Sequence, residues 1–439
     1  MCTWWTRSPS TRTESMAAAD ALSGQRILVA VSGSIAAVKV PALVSALVKR
    51  GAEVRCLLSP SAAQLVSPVA LASLSRQPCV LEQDQWDHRS PRPLHIDLAE
   101  WPDLVLLTPL SATTLARLVH GLSDTLLAAT VMASRAPLLL AAAMNTDMWE
   151  SLAVQRNWQQ VQLDRRTLSL PPARDGLLAC DRRGSGRMVE PELIELAAES
   201  LALHGPSSDL SGRRVLVTAG PSRESLDPAR HLSNASSGLM GVLLAQAARL
   251  RGAEVTLLHG PLAVQEAWLE GVCCKSFTTS AELEALLQQG QPQADAVLMA
   301  AAVADQRLRE PLRHKLPKHQ LQQWLLQPSH WEPVPDLLMQ LVQRRPPGQI
   351  LFGFAAQSGD VLAEAEAKFV RKGCDLMFAN PIDQLQAGFG SAANEGWLLQ
   401  KGKGPERIHS CRKFALAHRL LDALLGQLDQ AVSLPSATG

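Results

Sequence analysis

Short apolar runs alternate with amphipathic stretches along most of the chain. In the first half, Ile27–Val31, Val54–Leu58, Leu104–Leu107 and Leu138–Ala141 read as buried strands. The stretches near Ile35–Lys49, Ala112–His120 and Thr125–Ala133 read as the helices between them. This is the strand-helix-strand rhythm of a doubly wound parallel sheet. Pro41 falls inside the first helix, where its missing N–H predicts a kink. The rhythm stops at His204-Gly205-Pro206-Ser207-Ser208-Asp209, a cluster of turn formers. It restarts with Val215–Thr218, a helix from about Met240 to Arg251, Glu254–Leu258, Ala296–Met299, Ile350–Phe352, a helix near Val361–Arg371, and Leu376–Ala379. The pattern predicts an α/β protein of two doubly wound, Rossmann-like domains. Their bounds are a disordered tail over 1–23, a first domain over 24–203, a linker over 204–212, a second domain over 213–430 and a tail over 431–439. Between Asp305 and Asp336 the chain is polar and rich in Gln and Pro, and an insertion of that kind near an active face predicts a lid.

Composition narrows the chemistry. A length of 439 residues suits two cores of about 200 residues each. Lys plus Arg number 42 against 41 for Asp plus Glu, with the charges interspersed, so small molecules are expected rather than nucleic acid or an anionic membrane. The eight cysteines form neither a CxxC pair nor a zinc-finger spacing, which predicts reduced thiols in a cytoplasmic protein. The most apolar region, Leu126 to Met144, is interrupted by Arg135 and Pro137, whereas a bilayer span needs about 20 apolar residues. It reads as a buried helix followed by a buried strand. Residues through Ser15 lack the apolar core of a secretory signal and read as a tail or as an upstream start ahead of Met16.

Both domains open alike: a basic residue, an apolar run and a small-residue turn, Arg26 to Gly33 and Arg214 to Gly220. Such a turn lets backbone N–H groups approach a phosphate, or it is simply a tight connection. Further along the first half, Ser111, Ala112, Thr113 and Thr114 follow one predicted strand, and Met144-Asn145-Thr146 follows another. Both fall on the sheet edge where open α/β folds bind ligands. Cys180, followed by Gly184-Ser185-Gly186-Arg187, has the glycine-rich, cationic setting that lowers a thiol pKa, although an isolated Cys is also a good core residue.

Taken together, the Ser32–Ala37 loop, His95-Ile96-Asp97-Leu98, Gly121–Leu127, Met144–Trp149 and the Cys180 loop resemble the homo-oligomeric flavin-containing Cys decarboxylases, which include phosphopantothenoylcysteine decarboxylase. The resemblance runs from about Arg26 to Pro191 and implies a flavodoxin-like domain holding FMN. It places the flavin phosphate at Gly33, Ser34 and Ile35, with contacts from Ser59 and from Ser111, Ala112, Thr113 and Thr114. It implies that His95 assists oxidation and decarboxylation, that Asn145 binds the substrate carboxylate and that Cys180 protonates the ene-thiolate. A flavin is apt because the cysteinyl carboxylate has no electron sink until its thiol is oxidised. Ala142, Thr113, Val38 and Asp181 depart from the usual Pro, Asn, Tyr and Gly.

In the second half, Thr218–Glu224 leads to Arg230 and Asn234, four apart, and then to Ser236-Ser237-Gly238 before a helix, an anion seat or a plain N-cap. Arg230 and Asn234 could hold or polarise an acyl group. Asp305 ends a buried strand as a lone carboxylate suited to Mg²⁺ on a nucleotide triphosphate. Lys315 follows in the predicted lid, and Lys368 and Lys372 repel each other on a bare helix unless an anion faces them.

The order of these motifs resembles phosphopantothenate–cysteine ligase over about Ser211 to Leu425. The resemblance implies that CTP is a co-substrate, activating 4′-phosphopantothenate as an acyl-cytidylate that cysteine attacks. Asp305, Lys315, Val334, Pro335, Lys368 and Lys372 would contact CTP or its metal, and Arg230 and Asn234 the acyl-cytidylate. Leu239, Gln357 and Val334 replace a usual Lys, Glu and Asn. Together the two resemblances imply a bifunctional route within coenzyme A biosynthesis and a homo-oligomer with trimeric decarboxylase and dimeric ligase contacts. The rivals are a flavin-binding regulatory protein and a decarboxylase of peptidyl cysteine. The retained His95, Asn145 and Cys180 weigh against the first, and the attached ligase-like half against the second.

Overall fold

The computed structural model describes residues 20–88, 91–176, 181–383 and 391–433. Strands β1 (Arg26–Val31), β2 (Glu53–Leu58), β3 (Cys79–Leu81), β4 (Leu104–Leu110), β5 (Leu138–Ala142) and β6 (Thr167–Leu170) form one sheet. Its order is β3-β2-β1-β4-β5-β6, parallel throughout, and it reverses between β1 and β4. The strands read as unbroken apolar runs because helices cover both faces. Ile27, Val29 and Val31 enter one apolar cluster, whereas Leu28 and Ala30 enter another, as the two-residue pleat requires.

The second sheet is built from β7 (Arg214–Ala219), the hairpin strands β8 (Arg223–Asp227) and β9 (Arg230–Ser233) standing apart from it. It continues with β10 (Glu254–His259), β11 (Cys273–Ser276) and β12 (Ala296–Met299). A second separate hairpin, β13 (Gln306–Leu308) and β14 (Trp331–Pro333), precedes β15 (Ile350–Gln357), β16 (Leu376–Pro381), β17 (Ala393–Gln400) and β18 (Glu406–Arg412). The order β11-β10-β7-β12-β15-β16-β17-β18 is parallel except at β17 and β18, and it reverses between β7 and β12. The sequence pattern missed the antiparallel pair and the helix Lys413–Ser433 that follows it.

Several expected features take a different form. Pro41 does not kink a helix: a 3-10 turn, Ile35–Lys39, ends before it, and Pro41 lies in the first turn of the helix Val40–Lys49. There an N–H would have no intrahelical partner, so proline costs nothing. The expected tail over 1–23 ends sooner, because Leu22 is fully buried and Asp20 pairs with Arg50 at 2.7 Å. The segment expected as the linker, 204–212, is held in place by its neighbours. Leu210 is fully buried, and Asp209 grips the buried guanidinium of Arg251 at 2.6 Å. The last helix runs to Ser433, past the expected end of the second domain at 430.

A central apolar cluster joins one face of each sheet through the helices Pro191–His204, Leu239–Leu250 and Lys413–Ser433. An ionic network crosses the same seam: Arg50 reaches Asp20 and Glu199, both at 2.7 Å, and Arg412 reaches Glu199 at 3.3 Å. Among the described residues no helix is long and apolar enough to cross a membrane, and six cysteines are free thiols.

Candidate functional site

The point where the first sheet reverses order opens into a cavity of about 520 Å³. Its lining comes from the turns after β1 (Gly33, Ser34, Ile35), β4 (Ser111, Ala112, Thr113) and β5 (Met144, Asn145), with Gly186 and Arg187 arriving from the chain before the helix Pro191–His204. Gly33 is required by close approach, since a Cβ there would lie 2.4 Å from Ser61 Cβ. The turn is locked to its neighbour by buried Ser32, whose hydroxyl donates to Pro109 O at 2.7 Å and accepts from Ser111 N at 2.8 Å. Ser34, Ser111 and Asn145 each cap the short helix that follows them, so their side chains hold backbone N–H groups at the rim.

Chemically the cavity is an apolar slot with cations on one side. Ile35, Val38 and Met148 line it while remaining about half exposed. Lys39 places Nζ 2.8 Å from both carboxylate oxygens of Glu190, and Arg187 lies 3.4 Å from the same group. The buried Nε of Arg187 has no hydrogen-bond partner among the described residues. An isoalloxazine ring suits the slot, and a phosphate suits the turn and its cations. Nothing in the local sequence marks Lys39 and Arg187 as a pair, because the carboxylate that gathers them, Glu190, is 151 residues from Lys39.

The cavity does not take in every expected residue. Ser59 accepts from Ala62 N at 3.2 Å, and Thr114 is buried behind Ser111; neither lines it. His95, on the helix Leu94–Glu100, is half-buried and also absent from the lining. Cys180 lies outside the described residues. The chain on either side of it is anchored at the cavity: Gly184 N donates to Gly176 O at 3.1 Å and Met144 N to Gly186 O at 3.0 Å.

The second sheet carries two adjoining cavities at its own reversal between β7 and β12. The smaller, about 240 Å³, brings together Asp305, Val334, Pro335, Asp336, Lys368 and Lys372. Lys372 is ion-paired with Asp336, which also caps the helix Leu337–Arg344. Burial, then the charges of Lys372 and Arg371, hold the Lys368 ammonium below its ordinary pKa, against the opposing pull of Asp305 and Asp336. An anion set against this cluster relieves the repulsion between the lysines. Asp305 is a hard oxygen donor beside it, and Mg²⁺ commonly takes one or two carboxylates plus substrate phosphates, so the donor set fits a nucleotide-borne ion.

The larger cavity, about 440 Å³, shares Asp305, Phe354 and Lys368 with the smaller one and extends to Asn234, the Ser236–Gly241 turn, Asn380, Asn394 and Lys413. Gly238 enters the helix Leu239–Leu250 at φ +78°, and Gly241 lets that helix touch β7, where a Cβ would meet Thr218 O at 2.7 Å. Asn234 is committed structurally: its Nδ2 donates to Ala302 O at 3.1 Å and Val303 O at 3.0 Å, shaping the loop that ends in Asp305. Arg230 stands outside the cavity lining with Nη1 3.4 Å from buried Asp227. Lys315 is exposed and lines neither cavity. It belongs to the polar insertion, which forms the β13–β14 hairpin and a helix, Lys318–Leu325, and is pinned at its base by Val334 N donating to Asp305 O.

Comparison with known proteins gives concordant results for the two halves. The family described as "Flavoprotein" matches residues 15–199, and that described as "DNA/pantothenate metabolism flavoprotein C-terminal domain" matches residues 210–427. The chain is 35% identical over 376 residues to the coenzyme A biosynthesis bifunctional protein CoaBC of Bacillus subtilis (strain 168), covering 85% of this chain and 90% of that one. To the protein of the same description from Vibrio cholerae it is 35% identical over 411 residues, covering 93% and 99%. Among solved structures, the C-terminal domain of a coenzyme A biosynthesis bifunctional protein CoaBC aligns with 51% of this chain and all of its own, at 27% identity and a TM-score of 0.41.

Proposed function

The chain belongs to the family of coenzyme A biosynthesis bifunctional proteins, and from that premise we propose that it converts 4′-phosphopantothenate to 4′-phosphopantetheine in two steps. In the second domain, a CTP-dependent ligase, the substrate carboxylate attacks the α-phosphorus of CTP and expels pyrophosphate. The amine of cysteine then attacks the acyl carbon of the acyl-cytidylate and expels CMP. The first domain, an FMN-dependent decarboxylase, removes the cysteinyl carboxylate as CO₂. The convergence of motif residues distant in sequence on cavities at two separate sheet edges is the observation that supports this reading.

In the ligase, Lys368 and Lys372 would hold the triphosphate, with Val334 and Pro335 forming the wall beside it and Asp305 carrying Mg²⁺. Arg230 and Lys315 would join from the β9 strand and the lid-like insertion on closure. Asn234 would act mainly by holding the loop that presents Asp305.

In the decarboxylase, Gly33, Ser34 and Ile35 would seat the FMN phosphate, and Ser111, Ala112 and Thr113 the adjoining wall. Bound FMN supplies the reversible two-electron oxidation that gives the cysteinyl group its electron sink. Asn145 would orient the carboxylate, and Cys180 would deliver the proton to the ene-thiolate. His95 is absent from the cavity of its own chain, which favours a homo-oligomer in which a second copy completes the site. Reduced thiols and a diffusible substrate suit a cytoplasmic setting.

The test supplies purified protein with 4′-phosphopantothenate, cysteine, CTP and Mg²⁺ and follows pyrophosphate, CO₂ and the flavin spectrum. A protein without flavin and without CTP-dependent pyrophosphate release overturns the assignment. Cys180→Ser is expected to spare the ligase step and halt output of 4′-phosphopantetheine; normal output removes Cys180 from its role.

A further inference from the structure

Lys315 stands exposed on the polar insertion and outside both cavities of the second sheet. The backbone beside it is nevertheless fixed by a buried carboxylate. Asp227, at the turn of the β8–β9 hairpin, is only 4% exposed. Its Oδ1 accepts from Ala229 N at 2.8 Å, which closes the turn, and its Oδ2 accepts from Leu316 N at 3.2 Å. That amide follows Lys315 directly in the chain. The same Oδ2 lies 3.4 Å from Arg230 Nη1, a buried nitrogen with no hydrogen-bond partner among the described residues. A carboxylate withdrawn from water is stable only while such donors and the guanidinium stay in place, so it holds them where they are.

The hairpin is in turn tied to the loop that ends in Asp305. Fully buried Ser222 accepts through Oγ from Ala304 N at 3.1 Å, one residue before Asp305. Leu312 N donates to Leu226 O at 3.0 Å, and the second leg of the insertion returns with Val334 N on Asp305 O at 3.0 Å. Both legs of the insertion are therefore referenced to one frame that includes Asp305. We propose that Asp227 is a positioning residue of the ligase: by gripping Leu316 N it sets the first leg of the insertion and so aims Lys315 at the reacting nucleotide. This rests on the ligase reading given above and names the group through which its outlying lysine acts. Since Lys315 lines neither cavity, its contribution falls on turnover, whereas the Lys368 cluster carries the binding of CTP.

The experiment measures CTP-dependent pyrophosphate release from 4′-phosphopantothenate and cysteine in the full chain, in Asp227→Asn, in Lys315→Met and in the double variant. Asp227→Asn keeps the shape of the side chain but removes its charge and one acceptor. Its kcat is expected to fall roughly 10- to 100-fold, the usual scale of a lost charged hydrogen bond, while the KM for CTP holds. Because Asp227 acts through Lys315, most of that loss is expected to vanish when Asp227→Asn is made in a chain already carrying Lys315→Met. A residue serving the fold alone would instead multiply the two losses. An undiminished kcat in Asp227→Asn, a loss confined to the KM for CTP, or losses that multiply in the double variant each overturn the proposal. Thermal unfolding reports the fold of each variant. Should Asp227→Asn fail to fold, Asp227→Ser, which can still accept from Ala229 N, takes its place in the same cycle. An unmodified chain without ligase turnover would instead overturn the functional assignment.

Discussion

At the scale of single residues, burial decides what the charged groups can do. His418 is 4% exposed, packs edge-on against Phe414 at 4.9 Å, and neither ring nitrogen has a hydrogen-bond partner among the described residues. Burial, then Arg251 and His204, push its imidazole down to about 3, against the pull of Asp209. The unfolded chain therefore takes up a proton near the ordinary value of 6.5 that the folded chain refuses until about 3. This stability is complete above pH 6.5 and is lost as pH falls through that window, by up to about 1.4 kcal/mol per pH unit. His418→Phe is expected to flatten that acid limb, which urea unfolding at several pH values measures; an unchanged slope contradicts it. Lys368 serves both ligase cavities. Lys368→Met is expected to raise the KM for CTP by about 10-fold or more while leaving decarboxylation of supplied intermediate intact. Steady-state kinetics of the two half-reactions provide the check.

At the scale of elements, glycines set how closely turns can stack at the sheet edges. Gly186 has φ +148°, and a Cβ there would lie 2.3 Å from Met144 O and 3.1 Å from Thr146 N. Both contacts are backbone atoms of the turn that presents Asn145, so neither can swing aside. Gly186→Ala is expected to push the chain around Asn145 apart and destabilise the first domain by about 1–3 kcal/mol. Flavin content and CO₂ release should fall with it, whereas CTP-dependent pyrophosphate release should persist. The sequence made Gly184-Ser185-Gly186-Arg187 conspicuous, yet the reason for the second glycine is a contact with another strand's loop. Periodicity likewise located β1, β4, β7 and β12, because their buried runs are local. It missed β17 and β18, which lie at the antiparallel end of the sheet with mixed burial and a register shift between Asn394 and Gly396.

At the scale of the whole molecule, the two domains share a core. Glu199, 1% exposed, receives Arg50 of the first domain and Arg412 of the second, so its removal leaves two guanidinium groups short of a partner at the seam. Glu199→Ala is expected to cost about 3 kcal/mol and to lower the stability of both domains together. Calorimetry that shows only one of two separate transitions moving would refute that coupling. Asp209 acts in the same seam, where Arg251 also donates to His418 O at 3.1 Å. The segment His204–Asp209 is a cluster of turn formers in sequence, and its neighbours in space hold it as a clamp.

The two doubly wound halves, the sheet-edge position of Gly33, Ser111, Asn145 and Asp305, and the chemistry that their order resembles are legible in local patterning. They can be read there because buried parallel strands are short apolar runs, and the turns after them face the ligand edge in any such fold. Which of those residues share a cavity is settled by the folding of distant segments against one another. It set Ser59, Thr114, Arg230 and Lys315 apart from the cavity walls, gathered Lys39 with Arg187 through Glu190, and placed Lys368 where the two cavities of the second sheet adjoin. Strand order, register and long-range ion pairs join residues far apart in the chain, and local patterning carries no record of them.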